Sequence, residues 1–203
     1  MKIILVGASG RIGKAVDRLI STEHEVVRVG ATSGDIQCDY TDEGSVRSLF
    51  QQVPGFDALI ACAGRDSVFQ AFEALTAKDY QYGFERKFMG QVRLVNIGRE
   101  HVNDNGSFTL SSGFLSHYPN PASIATGPFN AAVDTFVANT APLLKRGIRL
   151  NVVSPAPVVE PGQEGEGRVT AEQTARFYVD AVQGAMTGQD LRAWGGLPVP
   201  PVE

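Results

Sequence analysis

The sequence predicts a three-layer α/β fold around a doubly wound, mostly parallel sheet of about seven strands. Apolar segments of strand length alternate with longer segments of helical period, which is typical of consecutive βαβ units. A glycine-rich turn joins the first strand segment to the first helix segment. The 203 residues, 43% of them hydrophobic, are enough for one well-buried core and too few for two. We therefore expect one domain over residues 1–203.

Six apolar segments are the expected strands. In chain order they are KIILVG, EVVRVG, FDALIACAG, GSFTLSS, GIRLNVVSP and DLRAW, the last of which would close the sheet. KIILVG has an apolar run of only about five residues and no polar cleavage region after it, so we interpret it as a buried strand rather than a signal peptide. No segment approaches the roughly 20 apolar residues of a membrane span, and no membrane partner is expected.

Helices are expected between these strands. They cover about Arg11–Ser21, the segment SVRSLFQQV, about Lys78–Glu100, about Phe129–Leu144 and the segment TAEQTARFYVDAVQGA. The last of these begins with Thr170 and has Glu172 two residues later, close to a capping-box pattern. The Pro/Gly-rich segment SPAPVVEPGQEGEGR is expected to be a long connection within the domain.

Composition and charge exclude several classes of function. The net charge is −4, and its 18 basic and 22 acidic residues are spread along the chain, so no nucleic-acid partner is expected. The two cysteines, Cys38 and Cys62, cannot form a disulfide framework, which favours a cytoplasmic location. His24 and His101 are isolated and show no metal-ligand spacing, so no metal is expected.

The segment VGASGRIGKAV predicts a nucleotide-binding loop of the Rossmann type. Gly7, Gly10 and Gly13 lie between a buried strand and a helix, where glycines allow a tight turn, a close approach to a pyrophosphate and close helix–strand packing. The free N–H groups and partial positive charge of the helix N-terminus would then face the phosphates.

Motifs along nearly the whole chain resemble the short-chain dehydrogenase/reductase family. GASGRIG resembles its cofactor loop, with Gly-x-x-Gly-x-x-Gly in place of the commoner Gly-x-x-x-Gly-x-Gly. CDYTD, ACAG, FTLSSG, GIRLNVVSPAPV and TGQDLRAWGG follow in the family's order. Cys62 and Ala156 stand where the family has Asn and Gly. In FTLSSG, the resemblance makes Ser112 the better match to the catalytic serine, with Ser111 as its neighbour.

The resemblance implies a nicotinamide dinucleotide cofactor, NADP rather than NAD. The second strand is followed by Ala31, Thr32 and Ser33, with no carboxylate before Asp35, and Arg11 in the glycine loop offers a guanidinium for the 2′-phosphate. Asp39 in CDYTD would meet the adenine ring. The expected cofactor-binding residues are Gly7, Ser9, Gly10, Arg11, Ile12, Gly13, Thr32, Ser33, Asp39, Ala63, Gly64, Asn130 and Pro155.

The family's catalytic Tyr-x-x-x-Lys pair has no match in this chain. ATGPFNAAV places Asn130 at the Lys position and Thr126 at the Tyr position, with Ala125 as the other candidate for the Tyr position. Ala has no proton to give, a Thr hydroxyl is too weak an acid, and Asn carries no positive charge. The chemistry of the pair must therefore come from elsewhere or be absent.

Lys87, His117 and Tyr118 are the candidates to replace the pair. The resemblance places Lys87 where the family has the Asn of Asn-x-x-Gly, from which it would supply a positive charge to the pocket unless it is an ordinary surface lysine. His117 or Tyr118 would donate the proton from the loop after Ser112, unless both are solvated loop residues. Histidine titrates near neutral pH and is the better general acid.

Two functions remain open on the sequence alone. In the first, the protein is an NADP-dependent oxidoreductase on a small carbonyl or alcohol, with Ser112 orienting the substrate oxygen. In the second, it binds the dinucleotide without turnover, as a redox sensor or scaffold. The resemblance also implies a homodimer or homotetramer formed through the long helix and the helix after Asn130.

Overall fold

The computed structural model describes residues 1–64, 68 and 70–200, and its main sheet confirms the predicted α/β architecture. Seven described strands form this sheet: β1 (Lys2–Val6), β2 (Glu25–Gly30), β3 (Ile36–Gln37), β4 (Phe56–Ala61), β5 (Val102–Ser111), β6 (Arg149–Pro155) and, last in the chain, β9 (Asp190–Ala193). Their order is β3-β2-β1-β4-β5-β6-β9, and every pair is parallel. Because the order reverses between β1 and β4, their carboxyl ends form the crevice in which such sheets bind ligands.

Helices cover both faces of the sheet. They are α1 (Arg11–Ile20), α2 (Glu43–Gln52), α3 (Ala77–Phe84), α4 (Gly90–Gly98), α5 (Thr126–Thr140) and α6 (Ala171–Gln183). Side chains alternate along β1, so Ile3 and Leu5 pack with α1 and α6 while Ile4 and Val6 belong to the core of α2, α4 and α5. No helix in the described part of the chain is long and apolar enough to span a bilayer.

Strand β3 was not among the predicted strands. It has only two residues, and residues 31–35 join it to β2 without a crossover helix. Gly34 has φ +112°, and a Cβ on Gly30 would lie 2.7 Å from the Ser33 carbonyl oxygen, so both glycines are needed where the chain turns back on itself. Asp35 then accepts a hydrogen bond from the Arg28 N–H at 2.8 Å.

The predicted helix over Lys78–Glu100 is helical as expected but not uniform. Five residues of π-helix, Glu85–Met89, separate α3 from α4. Glycines on both sides allow close aromatic packing: a Cβ on Gly83 would lie 2.2 Å from the Phe129 ring, and one on Gly90 would lie 2.1 Å from the Tyr40 ring. Such π-turns inside α-helices often occur at functional sites.

The Pro/Gly-rich connection contains structure that the sequence did not reveal. Strands β7 (Val158–Val159) and β8 (Val169–Thr170) pair in parallel apart from the main sheet. The predicted cap of α6 is present, but Gln173 rather than Glu172 completes it. Its side chain accepts from the Thr170 N–H at 2.8 Å, and the Gln173 N–H donates to the Thr170 hydroxyl at 3.1 Å.

Candidate functional site

A cavity of about 600 Å³ opens at the carboxyl ends of the central strands. The glycine loop, the ends of β4, β5 and β6, the π-helix and α6 all contribute to it. Its lining residues are Gly10, Arg11, Ile12, Cys62, Ala63, Gly64, Lys87, Ser111, Ser112, Pro155, Val158 and Tyr178. The cavity has the size of a small-molecule site, and it lies where the fold is expected to bind its ligand.

The glycine loop has the close backbone packing that a dinucleotide loop requires. Gly7 has φ +83°, and a Cβ there would lie 2.6 Å from the Cys62 carbonyl oxygen. A Cβ on Gly13 would lie 2.1 Å from the Gly7 carbonyl oxygen. In the described part of the chain no side chain caps the N-terminus of α1 at Gly10, so its first N–H groups remain available to an anion. These residues fit a pyrophosphate group.

Six of the thirteen predicted cofactor residues line the cavity, and the other seven do not. Gly10, Arg11, Ile12, Ala63, Gly64 and Pro155 are in the lining. Gly7, Ser9 and Gly13 belong to the same loop, while Thr32 and Ser33 are exposed in the β2–β3 turn, outside the lining. The carboxylate of Asp39 accepts hydrogen bonds from the Thr41 N–H and hydroxyl at 3.0 and 2.7 Å, which lowers its pKa.

Arg11 points toward the connection after β6. Its guanidinium donates to the Val158 carbonyl and the Glu160 carboxylate, both at 2.7 Å. The structure therefore brings Arg11 to the wall of the cavity but not to Thr32 and Ser33, the residues with which the sequence grouped it around a 2′-phosphate. Both partners of the Arg11–Glu160 ion pair are more than half exposed, so the pair contributes little stability and a competing anion can displace it.

Lys87 lies inside the cavity rather than on the surface. It is 9% exposed, and its Nζ donates to the Ser112 carbonyl at 3.1 Å. Its stem packs over Gly64, where an added Cβ would lie 2.7 Å from the Lys87 Cδ. Burial lowers the pKa of Lys87 to about 8, against the opposing effects of Asp134 and Cys62. The amine is thus mostly protonated at pH 7 and loses its proton just above neutral pH.

A second polar chain in the cavity runs from Tyr178 to β4. The Ser111 hydroxyl donates to the Ala61 carbonyl at 2.5 Å, and Tyr178 Oη lies 2.5 Å from Ser111 Oγ. A carbonyl can only accept, so the Ser111 hydroxyl must donate its proton to Ala61. The Tyr178 hydroxyl must then donate to Ser111. Burial raises the pKa of Tyr178 well above its usual range and that of the neighbouring Cys62 to about 12. Neither group gives up its proton readily.

Ser112 faces a buried polar side of α5. The hydroxyls of Ser112 and Thr126 and the Oδ1 of Asn130 are buried and have no hydrogen-bond partner in the described part of the chain. The Asn130 amide packs on Gly113, where an added Cβ would lie 2.9 Å from Nδ2. Buried polar groups are normally paired, so these atoms are suited to a ligand or ordered water.

His117 and Tyr118 do not line the cavity. The His117 ring packs on Trp194 at 5.1 Å between centroids, and its Nε2 lies 3.7 Å from Asp190 Oδ2. The Tyr118 hydroxyl donates to the Pro198 carbonyl, and its ring meets Trp194 edge-on. The structure therefore does not bring either of these predicted proton donors to the cavity that holds Lys87 and Ser112.

Sequence reasoning missed Tyr178 and Asp134, a half-buried carboxylate whose Oδ2 accepts from the Ser116 hydroxyl at 2.9 Å. Tyr178 was assigned only to a helix, because its helical period predicts burial but not which strand end it meets. Asp134 had a usable signal: it follows Thr126 and Asn130 at intervals of four residues, which places all three on one face of α5. Among the described residues, no three His, Cys, Asp or Glu side chains form a metal-ligating group.

Sequence comparison gives one family match that covers most of the chain. A family model described as enoyl-(acyl carrier protein) reductase matches residues 2–192. General stress protein 39 of Bacillus subtilis is 23% identical over 140 residues, which are 68% of this chain and 49% of that protein, so the chain matches about half of that relative's length. An uncharacterised oxidoreductase of Methylorubrum extorquens is 25% identical over 199 residues, 85% of this chain and 79% of that protein.

Solved structures resemble the fold over almost its full length. The protein lin1944 from Listeria innocua superposes with a TM-score of 0.90 at 35% identity, covering 96% of this chain and all of that one (100%). A small-chain dehydrogenase in complex with NADPH superposes with a TM-score of 0.86 at 26% identity, covering 97% of both chains. With the glycine loop, the parallel sheet and the family match over residues 2–192, this chain belongs to the short-chain dehydrogenase/reductase family.

Proposed function

We propose that the protein is an NADP-dependent oxidoreductase that reduces a small carbonyl compound, or oxidises the matching alcohol, with Lys87 as the proton donor. The observation that carries this proposal is the buried Lys87 amine, 3.1 Å from the Ser112 carbonyl, in the cavity that also contains the glycine loop. Ser112 orients the substrate oxygen with its hydroxyl, which has no hydrogen-bond partner among the described residues. Family membership supports the reaction class, since its members are oxidoreductases.

Three observations favour NADP over NAD. A structural relative at 26% identity was solved in complex with NADPH. Residues 31–34, which directly follow β2, carry no carboxylate, and the next residue, Asp35, accepts a hydrogen bond from the Arg28 N–H at 2.8 Å. Arg11 lies in the glycine loop, and its hydrogen bonds to the Val158 carbonyl and the exposed Glu160 carboxylate can be exchanged for a phosphate. When bound, NADPH supplies the hydride that reduces the carbonyl carbon.

Lys87 is the cavity's most suitable proton donor. The Tyr178 hydroxyl donates its proton to Ser111, and the Ser111 hydroxyl donates its own to the Ala61 carbonyl, so neither is available to a substrate. Burial raises the pKa of the Cys62 thiol to about 12. Lys87, with a pKa of about 8, is mostly charged at pH 7. An ammonium has three N–H groups, one of which donates to the Ser112 carbonyl. One of the others can donate to the substrate oxygen as that oxygen gains an electron pair, leaving a neutral amine that solvent reprotonates.

The test of this function is a titration with NADPH followed by addition of a panel of small carbonyl compounds. Nicotinamide fluorescence should report binding, and the absorbance of NADPH should then fall in the presence of at least one carbonyl. Binding without oxidation across a broad panel would favour the second candidate, a dinucleotide-binding sensor or scaffold. Residues 119–144 contain neither Tyr nor Lys, which is the observation in favour of that candidate. Absence of binding would contradict both.

The pH profile should follow the charge of Lys87. Carbonyl reduction needs the ammonium, so kcat/KM is expected to be flat below the pKa of about 8 and to fall above it. The loss should approach tenfold per pH unit, as for a single required proton. Alcohol oxidation needs the neutral amine and should rise through the same range. A reduction rate that is unchanged from pH 7 to pH 9.5 would contradict the assignment.

Arg11 should contribute to selection of the phosphorylated cofactor. Arg11→Ala is expected to weaken NADPH binding by about tenfold, the effect of a lost charge-assisted hydrogen bond of about 1.5 kcal/mol, and to leave NADH binding within about twofold. Fluorescence titrations with both cofactors measure this. Arg18→Ala is the matched control, because Arg18 lies on the same helix in an exposed pair with Glu172. If Arg11→Ala weakened the binding of NADPH and NADH equally, Arg11 would not be the residue that binds the 2′-phosphate.

We also propose a homodimer or homotetramer formed through the helical segment from α3 to α4 and through α5. Phe84, the last residue of α3, is 40% exposed and packs on Phe88 of the π-helix at 4.8 Å between ring centroids. Phe88 in turn meets Phe136 of α5 at 6.0 Å. Apolar aromatic surface of this kind is costly to leave in water. Light scattering of the purified protein measures the assembly, and a monomer at micromolar concentration would contradict it.

A further inference from the structure

Glu160 brings a carboxylate to the glycine loop from the connection after β6. Its Oε1 accepts from Arg11 Nη2 at 2.7 Å, while Arg11 Nη1 donates to the Val158 carbonyl at 2.7 Å. Arg11 is the first residue of α1, directly after the N-cap Gly10. The carboxylate therefore lies beside a helix N-terminus, whose partial positive charge favours an anion. It contacts the same guanidinium that we expect to bind a cofactor phosphate.

Paired backbone holds Glu160 in this place. The residue directly follows β7, and β7 pairs with β8, which leads straight into α6. Two residues before Glu160, Val158 lines the cavity. The Glu160 carbonyl then accepts from the Gln163 N–H at 3.1 Å, so the chain turns immediately beyond it. The position of the carboxylate is thus set by the fold on both sides of the residue.

The ion pair is weak enough for a phosphate to replace it. The side chains of Arg11 and Glu160 are 55% and 65% exposed, and ion pairs in water-exposed positions contribute little free energy. A phosphate dianion carries more charge than a carboxylate and accepts two parallel hydrogen bonds from a guanidinium. A phosphate can therefore displace Glu160 from Arg11, but its net gain is reduced by the interaction that is lost.

We propose that Glu160 is a specificity-determining residue, which pairs with Arg11 until a cofactor phosphate replaces it and thereby lowers the preference for NADPH over NADH. This inference rests on the proposed function in one respect, namely that Arg11 binds the 2′-phosphate. NADPH must displace the carboxylate from the guanidinium. NADH has no 2′-phosphate and leaves the Arg11–Glu160 pair in place, so only the phosphorylated cofactor is weakened by Glu160.

The test is a fluorescence titration of Glu160→Gln with NADPH and with NADH at one fixed ionic strength. Gln keeps the size of the exposed side chain and removes its charge, and the Arg11 hydrogen bond to the Val158 carbonyl is retained. The Kd for NADPH should fall by about two- to fivefold, the range expected for loss of an exposed ion pair. The Kd for NADH should stay unchanged. An unchanged Kd for NADPH overturns the inference.

Glu164→Gln is the matched control for the loss of one negative charge. Glu164 is an exposed carboxylate of the same connection, and it accepts from the Gly162 N–H at 2.6 Å rather than from Arg11. Its replacement should leave the Kd for NADPH unchanged. In an Arg11→Ala background, Glu160→Gln should give no gain, because the two residues act as a pair. An equal gain in Glu164→Gln, or a gain that persists without Arg11, overturns the inference.

A second probe separates failure of this inference from failure of the proposed function. If NADPH binds and is oxidised but Glu160→Gln leaves its Kd unchanged, the function stands and the role of Glu160 is wrong. If the wild-type protein does not bind NADPH, the proposed function fails, and calorimetric titration with inorganic pyrophosphate decides on Glu160. Glu160→Gln should then bind pyrophosphate more tightly than the wild type. Equal affinity, or no binding to either protein, overturns the inference.

Discussion

Lys87→Met is expected to lower kcat for carbonyl reduction by about 10²- to 10³-fold, the usual range for loss of a general acid. Methionine fills a similar volume and keeps the packing over Gly64, so the effect should come from the missing ammonium. NADPH affinity should stay within a few-fold of the wild-type value, because the glycine loop is unchanged. Steady-state rates at pH 7 together with an NADPH titration separate the two effects.

Lys78→Met is the matched control for this prediction. Lys78 is an exposed lysine on α3, just before the π-helix that carries Lys87, and its loss should leave kcat unchanged. Wild-type turnover in Lys87→Met would contradict the proton-donor role. If His117→Ala then reduced turnover by tenfold or more, the donor would have to come from the loop after β5, as the sequence first suggested.

Gly13→Ala is expected to abolish most NADPH binding, with Kd rising at least about tenfold, a loss of about 1.4 kcal/mol. The added Cβ would lie 2.1 Å from the Gly7 carbonyl oxygen and 2.9 Å from its carbon, so the backbone itself must move. Overpacking of this kind also costs about 1–3 kcal/mol of folding stability. Fluorescence titration gives the affinity, and thermal unfolding monitored by circular dichroism gives the stability.

Gly165→Ala separates the loop effect from a general effect of replacing glycine. The nearest heavy atom to its added Cβ is 3.9 Å away, on the flexible Arg168 side chain, so both affinity and stability should stay near wild type. A Gly13→Ala protein that is folded and binds NADPH with unchanged affinity would show that the cofactor does not use this loop.

The fold was largely predictable because it depends on patterns that are local in sequence. KIILVG followed by GASGRIG defines strand, turn and helix within about 20 residues, and the alternation of apolar segments then determines the parallel sheet. Strand β3 was not predicted because two residues are too few to show the alternation of apolar and polar side chains that indicates a strand. Its parallel pairing with β2 depends on Gly30 and Gly34 in a tight turn rather than on a crossover helix.

The candidate site was only partly predictable because its side chains meet through tertiary packing. The family resemblance placed Lys87 where it could supply a positive charge to the pocket, but the π-helix that carries it has no signal in the segment FERKFMG. His117 and Tyr118 follow Ser112 closely in sequence, yet the 3-10 turn Phe114–Ser116 directs both rings to Trp194. Closeness in sequence to Ser112 therefore does not predict where a side chain points when a turn lies between the two residues.

The central claim is that NADPH binds in the cavity beside Lys87, and 13C-lysine NMR tests it most directly. Saturating the wild-type protein with NADPH should shift the Lys87 signal and its titration midpoint, because Lys87 lines the same cavity as Gly10 and Pro155. The signals of Lys78 and Lys145 should not move. Saturation of NADPH fluorescence with no change in the Lys87 signal would contradict the account.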